Sequence, residues 1–100
     1  MEQKSGFFII RADRAGVFIG KIVEQKESTL IVTNCRRLYR WHGALDVISI
    51  AVNGVGSPSN CKFSAQFGDE DKSTILNVIE LHPLSEKALQ TINAVPVWKS

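Results

Sequence analysis

The stretch GFFIIRADRAGVFIGKIVEQKESTLIVT, residues 6–33, decides the fold class. Its first run, Gly6–Arg11, is aromatic and β-branched, the composition that fits a pleated, half-buried surface. Asp13-Arg14-Ala15-Gly16 interrupts it with turn formers, and Val17–Glu24 resumes the strand pattern. The polar loop Gln25–Ser28 then leads into a return strand, Thr29–Thr33. Parallel neighbours need a crossover of a dozen or more residues, and these connections are far shorter, so the three runs form an antiparallel meander. Arg36–His42 alternates with period 2 and is expected as the next strand.

Further along, GALDVISIAVNGVGSP (residues 43–58) is rich in β-formers yet carries helix signals. Asp46 is a good N-cap, Val47, Ile50 and Ala51 recur at helical spacing, and Gly54 stands where a helix C-terminus wants glycine. A short helix is expected there, followed by a loop (Gly54–Asn60), a strand (Cys61–Phe67), an acidic turn (residues 68–72) and a strand (Thr74–Leu81). A second helix begins at Ser85, an N-cap with Glu86 in the first turn, and buries Leu84, Ala88, Leu89 and Ile92. Pro96 ends it, and Val97-Trp98 is expected to fold back onto the sheet. The reading is a single α+β domain over residues 1–100. It is mainly an antiparallel sheet of five to six strands, with both helices on one face.

Composition agrees: 100 residues, 44% apolar and 22% charged, describe one globular domain. The net charge of +2 is too small for general polyanion binding. It is unevenly spread, because residues 25–42 carry Lys26, Arg36, Arg37 and Arg40 against Glu27 alone. The run between Lys4 and Arg11 is too short for a signal peptide, and no segment is long enough to span a bilayer. Cys35 and Cys61 form no CxxC, so two free buried thiols in a cytoplasmic protein are expected.

The chemistry concentrates in CRRLYRWHG, residues 35–43. On a strand, Arg37, Tyr39 and Trp41 share one face, and Arg36, Leu38, Arg40 and His42 share the other. Guanidinium groups fork onto phosphate and aromatic rings stack on bases, so the candidate ligand site is Arg36, Arg37, Tyr39, Arg40 and Trp41. Backbone amides of the loop at Gly54 and Gly56 would close it. In the competing reading, Tyr39 and Trp41 only cover the sheet, with Arg37 laid over them as a cation–π partner. No GxSxG elbow, P-loop spacing or metal-ligand pattern occurs, so neither catalysis, a cofactor nor a metal is expected. Eight large aromatic rings exceed what one small core needs, so a homo-oligomer is expected.

Four pieces of the chain, IIRADRAGVFIGKI, NCRRLYRWHGALDVISIA, GVGSPSNCKF and VPVWK, resemble a family of small phage-encoded proteins of unknown function. Arg36, Arg37, Leu38, Tyr39, Trp41, Gly43 and Ala44 carry the resemblance in the middle piece, with Asp46 where that family tends to have serine. The resemblance implies a phage origin and no activity. In that context the leading expectation is a non-enzymatic protein that sequesters a nucleotide-derived signal of host antiviral defence. The alternatives are an accessory protein for single-stranded nucleic acid, or a protein–protein inhibitor or structural module.

Overall fold

The computed structural model describes residues 4–99. Strands β1 (Lys4–Ala12), β2 (Gly16–Lys26) and β3 (Thr29–Arg40) form the antiparallel meander. Helix α1 (Val47–Asn53) and a 3-10 turn (Pro58–Asn60) follow, then β4 (Lys62–Phe63), β5 (Lys72–Ile75), β6 (Val78–Ser85) and α2 (Glu86–Asn93). The sheet runs β4-β3-β2-β1-β6, with β5 pairing the first half of β3 on the same edge as β4. The α+β class, the six-stranded antiparallel sheet and the two helices are as expected.

β1 and β2 run one or two residues past their expected ends, taking Gln25-Lys26 from the expected loop, and three further segments differ. Thr29–Thr33 and the expected strand from Arg36 are one strand, because Asn34 at φ 55° takes up a bulge without ending it, and that strand ends at Arg40, short of His42. Cys61–Phe67 is regular only over Lys62–Phe63. Beyond it the chain follows β3 irregularly, through Ser64 N–H to Arg37 O (2.9 Å) and Phe67 N–H to Cys35 O (3.0 Å). Thr74–Leu81 breaks at Leu76-Asn77, where Asn77 is left-handed at φ 57°, and its halves pair with opposite edges of the sheet.

That break dictates the overall shape. In a flat sheet, β5 and β6 would be about 19 Å apart, beyond the roughly 11 Å that two linking residues can span. The sheet therefore curls until its edges meet. Asn77 O accepts from Asp13 N–H (2.9 Å) and Ser28 O accepts from Val78 N–H (2.8 Å), which ties the seam to both meander turns.

Curling creates two apolar clusters, one on each face. Ile9, Ile19, Leu38 and Phe63 pack under both helices, against Val47, Ile50, Leu84, Ala88 and Ile92. Ile10, Phe18, Leu30, Val32, Cys35 and Ile75 fill the other side. The helices are capped as their sequences demand. Asp46 accepts from Ser49 N–H (2.9 Å), and Ser85 Oγ accepts from Ala88 N–H (3.0 Å) while donating to Val52 O (2.8 Å). Gly54 sits at φ 80°, where a Cβ would strike the Thr91 hydroxyl, so only glycine fits between the helices. Both cysteines are free and buried, one in each cluster. No helix among the described residues is long and apolar enough to cross a membrane.

Candidate functional site

An open cleft of about 720 Å³ lies where the second cluster reaches the surface. Its floor is Phe18 and Cys35, its walls come from the β1–β2 turn and from residues 64–67 beside β3, and Leu76-Asn77 closes one end. Arg37 and Tyr39 project into it from β3. The Arg37 guanidinium carbon lies 4.8 Å from the Phe18 ring centroid. Its backbone is held by Ser64 Oγ, which accepts from Arg37 N–H at 2.8 Å. Among the described residues the ion pairs are Arg11–Glu80 and His82–Glu80, so the Arg37 charge faces the cleft without a carboxylate partner. Arg14 and Asp13 stand at the rim. Tyr39, Phe67 and Leu76 line the cleft while 53%, 56% and 57% exposed, an apolar mouth around the Arg37 guanidinium with Arg14 at its edge. Trp98 braces Tyr39 edge-to-face, with ring centroids 5.9 Å apart.

Burial pushes the Cys35 thiol up from its ordinary value, against the opposing pull of a Ser73 hydrogen bond and the Arg37 charge. Burial thus favours the neutral thiol, and Cys35 contributes to the cleft as part of its floor.

The structure divides the residues singled out in the sequence. Arg37 and Tyr39 meet in the cleft. Arg36 does not: it is 5% exposed and turned under the helices. Its guanidinium donates to Ser64 O (2.6 Å), Ile92 O (3.0 Å) and Val95 O (2.7 Å) and lies 5.1 Å from the Phe63 centroid. It satisfies carbonyls at the α2 C-terminus, where a cation is favoured, and burial lowers its pKa. With those donors engaged, Arg36 is a structural clamp. Trp41 packs against the helix-side cluster, because regular alternation stops with β3 at Arg40. Arg40 opens into a separate recess. Gly54 caps α1, and Gly56 bridges to His42, so neither lines the cleft.

Phe18, Phe67 and Leu76 line the cleft without belonging to the candidate site read from the sequence, where Phe18 and Phe67 count only among the rings in excess of one core. The signal for Phe18 was its place in the β2 alternation. Phe67 and Leu76 reach the cleft through irregular backbone that no period announces.

Fold and cleft together define a class: a small α+β domain whose curled antiparallel sheet is covered by helices on one face and opens as a cleft on the other. The chain belongs to the family described as a domain of unknown function, DUF6948, whose model matches residues 7–92. That span contains three of the four pieces that carry the sequence resemblance, with VPVWK lying beyond it. No curated protein and no solved structure matches the chain significantly.

Proposed function

We propose that this protein is a non-enzymatic binding module that holds a flat, anionic, nucleotide-like ligand in the cleft. The observation that carries the reading is the Arg37 guanidinium, without an ion-pair partner among the described residues, laid over Phe18 in a cleft that Tyr39 and Phe67 also line. A base or similar ring would lie against the aromatic walls while the guanidinium takes the phosphate. The cleft volume falls within the range of ordinary small-molecule sites. A phage setting, as the resemblance implies, suits a sink for nucleotide signals of host defence, working in the host cytoplasm.

The test is calorimetric titration with mononucleotides, cyclic di- and trinucleotides and ADP-ribose derivatives. Binding by one of these, reduced at least about tenfold in Arg37→Ala, is the expected result, since one charge-assisted hydrogen bond contributes that much. A panel without binding, or affinity unchanged in Arg37→Ala, overturns the reading. Self-association belongs to the same proposal, and light scattering at the mass of one chain would refute it.

A further inference from the structure

A second recess, of about 450 Å³, lies past the Tyr39–Trp98 ring pair and is lined by Arg40, His42, Asn60, Lys62 and Trp98. Its charge arrangement is unusual for a surface. Arg40 and Lys62 are register partners on β3 and β4, and like charges placed directly opposite destabilise a strand pair. No carboxylate lines the recess, and among the described residues neither cation forms an ion pair. The Lys62 ammonium sits 4.9 Å from the Trp98 ring centroid, which holds it in the recess and relieves only part of the repulsion. Backbone hydrogen bonds tie the surrounding frame together. Trp98 N–H donates to Phe63 O (2.9 Å), and Gly56 N–H donates to His42 O (2.7 Å). A Cβ at Gly43 would come within 2.7 Å of Gly56 N, so glycine there lets the two backbones close and fixes His42 at the rim.

Two facing cations and an imidazole, aimed at one space with no acid among them, are suited to a phosphate group. We infer that Arg40, Lys62 and His42 form a phosphate seat that takes a second phosphate of the ligand held in the cleft. One ring pair separates the two cavities, with Tyr39 facing the cleft and Trp98 facing the recess. A ligand of two linked nucleotides crosses that wall, whereas a mononucleotide occupies the cleft alone. The bridging rests on the cleft reading; the seat stands on its own residues.

The experiment is an NMR titration of the full-length 15N-labelled protein with inorganic pyrophosphate at low ionic strength. The expected result is saturable shifts at the Trp98 indole N–H and the backbone amides of Arg40 and Lys62. The affinity read at these signals should fall about tenfold in Arg40→Ala or Lys62→Ala and stay unchanged in Lys87→Ala, an exposed cation of α2 that lines neither cavity. Arg40 is exposed and Lys62 half-buried, and circular dichroism of each variant checks that it folds. Absence of these shifts, or equal shifts in the Arg40→Ala/Lys62→Ala double variant, overturns the seat even where nucleotides still bind the cleft. The linear dinucleotide pApA should bind tighter than AMP, with the gain lost in Lys62→Ala. Equal affinity for the two overturns the bridging.

Discussion

Arg36 and Arg37 are adjacent on β3, project to opposite faces and do unlike work. Arg36 satisfies three backbone carbonyls beneath the helices, while Arg37 leaves its guanidinium at the mouth of the cleft. Arg36→Ala strands those carbonyls and is expected to cost about 3–5 kcal/mol, seen as a lower urea midpoint. Arg36→Lys should recover little of this, because one ammonium cannot reproduce the guanidinium fork. Arg37→Ala loses mainly its contact with Phe18 and should stay within about 1 kcal/mol of the parent. Equal destabilisation by both would remove the distinction between clamp and ligand group. Alternation in RRLYR already separates the two residues by face. Which face the helices cover is decided by where α2 docks, and no local pattern reports that.

The two helices were readable as elements because their signals are local: Asp46 and Gly54 bound α1, and Ser85 opens α2. Gly54→Ala combines a strained φ with a clash against Thr91 and should lower stability by more than about 1 kcal/mol, measured by thermal unfolding. Thr74–Leu81 looked continuous because β-formers flank Asn77, yet Asn77 is also one of the residue types that tolerates a left-handed backbone. The edge strand β6 carries a titrating contact. His82 (2.8 Å) and Arg11 (3.4 Å) both meet Glu80, and the His82 hydrogen bond leads in holding its carboxyl below the usual value. A carboxylate depressed in the fold stabilises above its unfolded pKa, and that share is lost as pH falls through the lowered folded value. Glu80→Gln should therefore flatten the acid limb of a plot of urea midpoint against pH. An unchanged limb would assign the acid sensitivity elsewhere.

At the scale of the molecule, two apolar clusters share one sheet, and neighbouring residues divide between them: Ile9 from Ile10, and Ile19 from Phe18. Neither cluster can form without the strands that build the other, so unfolding should be a single cooperative transition. Tryptophan fluorescence and far-UV circular dichroism should give superimposable curves in urea. A separate early phase in fluorescence would show that the helix-covered half melts alone.

The aromatic rings follow the same logic. Phe63 and Phe18 are buried, one in each cluster, with Phe7 and Trp41 packed against the first and Phe8 against the second. Tyr39, Phe67 and Trp98 remain exposed, around the cleft and the recess. By itself the sequence determined the antiparallel meander, the capped helices, the α+β class and the concentration of cations on β3, because periodicity, turn chemistry and capping act over a few residues. Only the tertiary structure decided that the sheet curls, that Arg36 is consumed by α2, and that Arg37 and Arg40 open into separate cavities. Those outcomes depend on a seam between β5 and β6 and on a helix docking some fifty residues from β3, contacts between distant positions that no local pattern encodes.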